Sequence, residues 1–480
     1  MLLPSSLDTS IPLVVDLDDT LIRSDTLHEG LIGLLFRDPM SLLELVGVIG
    51  RGRAAAKRIV ANHHTLDAQA LCYREDVLKL VQQAKAGGRS VHLVTAADQS
   101  IADAVQSHLG CFDSVVGSDG SLNLKGRKKL AWLQRSFPQG YIYAGDSASD
   151  LPIWNAARGA ILVGKGVAHA NRLWDAGIPV ELLHDQKTSR LQEWLKELRL
   201  HQWSKNVLIA VPLLLGHLTH DVNAILKTML AFLAFGLVAS ATYILNDLAD
   251  LEADRQHPTK RERPIAAGHI SVAQGFSVAL VLLGLGLGSS FALSRAFGSA
   301  TAVYVMLTLA YSLYLKRTPM LDVTVIAALF TMRVFMGTVL HGLALSPWLL
   351  SFSGFFFLSL SLAKRHVELM RAKALGREAI HGRGYQVDDW PLTLGFGLSG
   401  ALCAIVVMLM FVTEQGRDAV GYANPGWLFV APICVFLWLT RIWMLSHRME
   451  LNDDPVIFAL KDKISFVLGL AVLASIMLAL

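Results

Sequence analysis

Apolar and polar positions follow two regimes along the chain. Residues 1–200 mix short apolar runs with charged stretches, whereas from about Val207 onward long apolar blocks repeat with short polar breaks. A helix needs roughly 20 apolar residues to cross the hydrocarbon layer. Nine blocks approach or exceed that length, at about 206–220, 223–245, 271–293, 297–315, 321–341, 347–364, 393–413, 426–445 and 464–480. The first and last are the shortest. The pattern predicts a soluble domain over 1–190 and an all-α polytopic membrane domain of about nine helices over 206–480. Between them, "LQEWLKELRLHQWSKN" sets Trp194 and Trp203 among lysines and arginines, as an interfacial linker helix over 191–205 would.

The polar breaks alternate in charge. Arg255, Lys260, Arg261 and Arg263 share one break, and Lys316 and Arg317 a second; Lys364, Arg365, Arg371, Lys373, Arg377 and Arg383 crowd a third. Arg441, Arg448, Lys461 and Lys463 form a fourth, while the intervening breaks offer little beyond Arg295 and Arg417. This asymmetry predicts a bacterial-type inner membrane protein with these breaks, and the N-terminal domain, on the cytoplasmic side. The start, "MLLPSSLDTSIPLVVDLDDT", lacks the basic lead of a signal peptide. Apolar residues make up 53% of the chain, which a water-soluble protein rarely shows, and the net charge of +4 is too small to argue for nucleic acid. The four cysteines form no CxxC pair, and packing is the expected role of each.

Chemistry-bearing residues cluster at the ends of apolar runs. "IPLVVDLDDTLIRSDT" is a buried strand ending in Asp16, Asp18 and Asp19; "SVHLVTAADQS" is a strand ending at Thr95; "GYIYAGDSASDLPIW" is a strand ending before Asp146, with Asp150 following. Between the last two lies the basic turn "NLKGRKKLAWL". Carboxylates at strand carboxyl ends lie where α/β folds place their chemistry. The four segments, in this order, resemble the haloacid dehalogenase phosphatase superfamily over about residues 10–185. The resemblance implies a Rossmann-like α/β domain with a small helical cap at about 23–85. It implies Asp16 as nucleophile, Asp18 as general acid/base and Thr95 as a phosphoryl contact. Lys129 would balance the phosphoryl charge, with Lys125 and Lys128 as alternatives. Mg²⁺ would be held by Asp16, the Asp18 carbonyl and Asp146, supported by Asp150. The cap run "RGRAAAKR", with Arg51, Arg53, Lys57 and Arg58, is expected to be a solvated helix face, with contact to phosphate or to the bilayer surface as the alternative.

In "YILNDLADLEADRQHPTKRERPIAAG" a helix sets Asn246, Asp250 and Asp254 on one face, since residues four apart are neighbours. Three such oxygen-bearing side chains suit Mg²⁺. A salt-bridged, hydrated helix explains the charges but not the four-residue spacing. The string NDxxDxxxDxxxxxKxxRPI resembles the UbiA superfamily of intramembrane prenyltransferases. That family adds a second acidic DxxxD motif after its sixth span, where this chain has "SLAKRHVELMRAK". Cations stand in place of the acids, and a cationic site binds phosphate directly.

"LRLHQWSKNVLIAVPLL", "HPTKRERPIAAG", "YSLYLKRTPMLDVTVIAALFTMR" and "NDDPVIFALKDK" resemble the polyprenyl-phosphate phosphoribosyltransferase branch, the decaprenylphosphoryl-5-phosphoribose synthases. That branch implies phosphoribosyl pyrophosphate as donor and a polyprenyl phosphate lipid as acceptor. Asn246, Asp250 and Asp254 would then hold metal and leaving group, with Asp250 catalytic. Lys205 and Asn206 would take the lipid phosphate, and Lys260, Arg263, Lys364 and Arg365 the donor's phosphates. Asp322 and Arg333 would line the cavity. The phosphatase domain would remove the 5-phosphate of the product. The competing readings are an aromatic prenyltransferase using an isoprenyl diphosphate and a polytopic transporter with a regulatory soluble domain. Lipid length and oligomeric state are not legible.

Overall fold

The structure is a computed structural model, and it describes residues 8–48, 53–119, 123–184, 189–380, 383–415, 422–451, 458 and 462–479. The chain divides into two compact units, one of residues 1–198 with 243–279 and the other of 199–242 with 280–480.

In the first unit six parallel strands make one sheet in the order β3-β2-β1-β4-β5-β6: β1 (Leu13–Val15), β2 (Val91–Asp98), β3 (Ser114–Ser118), β4 (Ile142–Gly145), β5 (Gly159–Val163) and β6 (Val180–Leu183). β1 (LVV) and β5 (GAILV) are apolar and buried throughout because helices cover both faces of a parallel sheet. Val15 of β1 is in register with Leu93 of β2 and Ala144 of β4. The residues just beyond that register therefore share one edge. β2 runs on past Thr95 to Asp98, with a register shift against β3 between Val94 and Asp98. The shift occurs where the Thr95 hydroxyl accepts from the Ala97 amide at 3.0 Å.

Between β1 and β2 the chain forms the expected cap from α1 (Thr26–Arg37), α2 (Ser41–Val48) and α3 (Arg53–His63), followed by α4 (Glu75–Ala86). Asp25 starts α1 by accepting from the Leu27 and His28 amides, a cap worth about 1 kcal/mol. α4 buries Val77 and Val81, four residues apart. α5 (Gln99–Leu109) follows β2, and α6 (Arg127–Ser136) turns Lys129 and Leu133 inward on one face.

Among the described residues seven helices are long and apolar enough to cross a membrane: Val222–Ala249, Val272–Leu293, Arg295–Leu313, Leu321–Leu340, Pro347–Ala374, Val387–Glu414 and Pro425–His447. They match seven of the nine expected blocks; the count of nine is not met among the described residues. The last block is a shorter apolar helix, Lys463–Ala479. The first is a 3₁₀ run, Leu200–Ala210, followed by a five-residue α-helix, Val211–Leu215. Pro212 explains the break: its ring would clash with the carbonyl four residues back if an α-helix ran through it.

Leu402, Val406, Val467 and Leu470 are exposed along their helices, as lipid-facing side chains are. Trp203 packs inward instead, its indole donating to Ser240 at 3.0 Å. Its ring lies where a Cβ on Gly236 would come within 2.7 Å, so that helix position admits glycine alone without a shift. The packing role expected of the cysteines holds for Cys434; Cys403 is exposed and Cys72 and Cys111 are half-buried.

Candidate active sites

The carboxyl edge of β1, β2 and β4 gathers the sequence-predicted phosphatase residues. Lys129 is 1% exposed, and its ammonium lies 2.7 Å from Asp16 Oδ2. Lys125 and Lys128 are exposed, so of the three alternatives Lys129 is the buried one. Lys129 also donates to the Tyr143 hydroxyl at 3.0 Å, and that hydroxyl lies 3.3 Å from both Asp16 Oδ2 and Asp150 Oδ1. Burial, then the Asp150 and Asp16 carboxylates, hold the Tyr143 phenol well above its ordinary pKa, so it stays a donor. Ser147 fixes Asp150 through its amide (3.2 Å) and hydroxyl (3.0 Å). Tyr143 was not anticipated; its signal is a hydroxyl-bearing ring in an otherwise apolar strand, two residues before the Gly145-Asp146 turn.

Asp16 closes β1 and accepts from the Leu17 amide at 2.8 Å. A single wide turn, Leu17–Leu21, then carries Asp18 and Asp19, with Asp19 at φ 55°. Asp18 accepts from the Thr26 amide at 2.9 Å, which ties it to the first turn of α1. Part of Asp18 remains open to solvent, yet burial, then the Asp25 charge, pushes its carboxyl up to about 7. Burial, then the Asp16, Asp19 and Asp150 charges, pushes Asp146 up to about 8. The edge thus carries more carboxylates than cations. Among the described residues no three His, Cys, Asp or Glu side chains gather as a metal-holding group. The donor set expected here is two carboxylates and a carbonyl, and its surplus negative charge fits a divalent cation.

The cap run departs from expectation at two residues. Lys57 donates to the Ala96 carbonyl at 2.6 Å, and Arg58 pairs with the buried Asp98 at 2.9 Å. Both side chains are tied to the end of β2, although the Arg58 side chain stays 41% exposed. Arg51 and the Arg53 side chain lie outside the described residues.

The acidic ladder belongs to the same unit. The Asp250 amide donates to the Asn246 carbonyl (2.9 Å) and the Asp254 amide to the Asp250 carbonyl (2.8 Å), which keeps the three on one helical face across the Ala249–Leu251 junction. Asn246 and Asp250 are half-buried; Asp254 is 2% exposed and is paired with Arg263 and, at 3.7 Å, with Lys260. Arg263 also reaches Asp247 at 3.0 Å. The anticipated phosphate contacts are thus held by carboxylates here, and Asp247 is a partner that the four-residue spacing did not flag. Burial raises the Asp254 carboxyl, against the opposing pull of Arg263.

The residues between the ladder positions face the cap. Arg255 grips Glu29 of α1 with two bonds, 2.5 and 3.0 Å, and donates to the Ala70 and Ala266 carbonyls. Glu252 takes Arg37 at 2.5 Å and lies 3.5 Å from His64. Hydrogen bonding from His64, then Arg37, pulls the Glu252 carboxyl down to about 2. Gln256 donates to Asp67, and the Cys72 thiol to the Ala267 carbonyl.

In the second unit the remaining predicted residues form two separate groups. Asp322 is fully buried and accepts from Arg365 (2.7 and 3.1 Å), Arg383 (3.4 Å) and the Tyr385 hydroxyl (2.7 Å). Arg365 also pairs with Glu368, whereas Lys364 beside it is exposed. Arg333 donates to the Tyr304 hydroxyl (2.8 Å), the Leu329 carbonyl (2.7 Å) and Asn206 (3.4 Å). Lys205 and Arg333 both lie over the Phe330 ring, at 5.4 and 5.3 Å from its centre. The Asn206 amide nitrogen is buried without a hydrogen-bond partner. Arg383, Tyr385 and Tyr304 were not anticipated as site residues, because separations of 29 to 63 residues leave no spacing to read.

The chain matches the model of haloacid dehalogenase-like hydrolases over residues 13–154 and that of the UbiA prenyltransferase family over 207–469. The uncharacterized protein y4nM of Sinorhizobium fredii is 56% identical over 473 residues, covering 98% of this chain and 92% of its own. The decaprenyl-phosphate phosphoribosyltransferase of Corynebacterium glutamicum is 38% identical over 295 residues, 59% of this chain and 86% of its own. A solved UbiA homolog from Archaeoglobus fulgidus, bound to GPP and Mg²⁺, aligns at TM-score 0.46 and 15% identity over 59% of this chain and 99% of its own. The chain is a multi-pass membrane protein of the UbiA prenyltransferase family, fused at its N-terminus to a haloacid dehalogenase-like hydrolase domain.

Proposed function

We propose that the membrane part transfers 5-phosphoribose from phosphoribosyl pyrophosphate to a polyprenyl phosphate, and that the N-terminal domain then removes the 5-phosphate. The observation that carries the reading is the packing of Asp254 and Asp247 against Arg263 and Lys260. A metal-bound pyrophosphate leaving group needs carboxylates for the cation and cations for the phosphates, and one short segment supplies both. On donor binding, Arg263 and Lys260 would exchange Asp254 for phosphate oxygens, freeing that carboxylate.

Asn246, Asp250 and Asp254 would hold Mg²⁺, which neutralises the departing pyrophosphate. As the C1–O bond of the donor breaks, positive charge builds on the ribose and nearby carboxylate stabilises it. An oxygen of the lipid phosphate forms the new bond to C1. That oxygen is already anionic, so it needs positioning rather than a strong base. Lys205 and Asn206 suit this role, the latter through its unpartnered buried amide. The Asp322–Arg365–Arg383 group replaces the second acidic motif with charge that is already paired, which favours a donor carried by one metal site over an isoprenyl diphosphate gripped by two.

In the N-terminal domain Asp16 would attack phosphorus, and Asp18, held protonated near neutrality, would give its proton to the leaving ribose oxygen. Water attacking phosphorus would then free Asp16 and release inorganic phosphate. Thr95 and Lys129 would position and balance the phosphoryl group, and Mg²⁺ at Asp16 and Asp146 would let an anion approach an anion. Consecutive action is supported by the ladder segment and the cap sharing one unit, joined by the buried Arg255–Glu29 pair. Both sites would then face the cytoplasm. The test incubates membranes with ribose-labelled phosphoribosyl pyrophosphate and a polyprenyl phosphate. Label entering the lipid phase supports the reading, and label that stays in water while a prenyl diphosphate alkylates a phenol overturns it.

A further inference from the structure

Arg333 is 4% exposed, and the groups it bonds are all neutral: the Tyr304 hydroxyl, the Leu329 carbonyl and the Asn206 side-chain oxygen. Its guanidinium also lies over the rings of Phe235, Tyr304 and Phe330, 5.0–5.3 Å from their centres. Ring faces and neutral acceptors ease a buried positive charge without cancelling it. Among the described residues no carboxylate pairs with Arg333. The acid on the same helix, Asp322, is taken by Arg365 and Arg383 and lies about 16 Å away along the axis. A second cation, Lys205, lies over the same Phe330 ring at 5.4 Å, so positive charge is gathered here rather than balanced.

Asn206 supplies an independent sign of a ligand. It is 1% exposed; its oxygen accepts from Arg333 at 3.4 Å, while its amide nitrogen is buried with no partner. A buried donor left unpaired costs free energy unless a ligand accepts from it. The run Leu200–Ala210 is pressed against helix Leu321–Leu340, since a Cβ on Gly337 would meet the Ile209 carbonyl. That close approach holds Asn206 beside Arg333. A guanidinium and an orphan amide side by side complement an oxyanion that offers more than one oxygen. Depth decides what carries the anion. Arg333 lies about 18 Å along its helix from Leu321, near the middle of a hydrocarbon layer about 30 Å thick. An anion borne on an apolar chain suits that depth and those rings, whereas a hydroxylated, multiply charged sugar phosphate does not.

We propose that Arg333, with the Asn206 amide beside it, binds the phosphate of the acceptor lipid and restricts acceptors to lipid phosphate monoesters. This rests on the transferase reading above and adds to it the residue that selects the acceptor. A neutral phenol in the same place would leave the guanidinium uncancelled, so the buried charge itself rejects that class. No new step is added: the lipid phosphate keeps one oxygen free to bond C1 of the donor.

The test measures binding of farnesyl phosphate, farnesol and, with Mg²⁺, phosphoribosyl pyrophosphate, each alone, to the full-length protein in detergent micelles. Wild type is expected to bind farnesyl phosphate about tenfold more tightly than farnesol, the yield of charge-assisted hydrogen bonds. Arg333→Met should erase that preference, while farnesol and phosphoribosyl pyrophosphate change less than about twofold, which also reports a folded protein. Asn206→Asp keeps the shape and gives Arg333 an internal counter-ion, so it should erase the preference too, and it decides the matter if Arg333→Met fails to fold. The proposal is overturned if wild type shows no preference or if the preference survives in either variant. It is also overturned if Arg333→Met weakens phosphoribosyl pyrophosphate as much as farnesyl phosphate, which would give the anion site to the donor. Wild type that binds farnesyl phosphate through Arg333 yet transfers no ribose to it overturns the transferase reading alone.

Discussion

Asp16 is both the proposed nucleophile and one half of a buried ion pair, and the two roles separate by mutation. Lys129→Met leaves the Asp16 carboxylate without its cation, and breaking such a pair costs about 3–5 kcal/mol. Lys129→Met with Asp16→Asn removes both charges and should recover part of that loss in a chemical denaturation series. An additive result would show that the 2.7 Å contact contributes nothing. A pH effect follows from Asp18 and Asp146, which are held near 7 and 8 against an ordinary value of 3.8. From about pH 4 to 8 the folded domain binds protons that the unfolded chain has released, so metal-free stability falls as pH rises through that window. Mg²⁺ should therefore raise the unfolding temperature more at pH 8 than at pH 5. A metal-free unfolding temperature that is flat or rises over the window contradicts this. At this scale the positions of Asp16, Asp18 and Asp146 were legible because each sits at or beside a strand end, whereas Thr95 lies inside β2, which runs on to Asp98. Tyr143 was not legible: it looks like strand filling until the sheet brings its hydroxyl to the same edge.

Helix Leu251–Gln256 divides its side chains between two tasks. Asp254 continues the ladder, while Glu252, Arg255 and Gln256 hold cap residues. Arg255→Ala would strand the buried Glu29 carboxylate and cost about 3–5 kcal/mol. Adding Glu29→Gln should return a good part of it, and full additivity in a double-mutant cycle would show the pair is not coupled. The ladder was legible from its four-residue spacing, which a helix converts directly into one face. The docking of its other side was not, because Glu29 and Arg255 are 226 residues apart and neither alone departs from ordinary surface composition. The membrane helices were legible wherever an apolar run exceeded a turn-breaking residue, as at Val222–Ala249. The block at 206–220 failed because hydropathy ignores Pro212, which stops one helix and starts another.

For the molecule as a whole, the fusion makes a prediction that neither domain makes alone. Asp250→Asn should abolish transfer to lipid and leave phosphate release from small esters intact. Loss of both activities would mean that the ladder serves the fold rather than the transfer. Composition and hydropathy set out the two-domain plan, while the pairing of residues 243–279 with the N-terminal unit rests on side chains that only the fold assembles.

Consecutive action is the central claim, and a doubly labelled donor tests it most directly. Phosphoribosyl pyrophosphate carrying one label in the ribose and another in the 5-phosphate is given to membranes with a polyprenyl phosphate. Wild type should bring ribose label into the lipid phase and release the phosphate label as inorganic phosphate. Asp16→Asn should bring both into the lipid phase at the donor's ratio. If the lipid product has the same ratio of labels in wild type and Asp16→Asn, the two domains do not act on one molecule in turn.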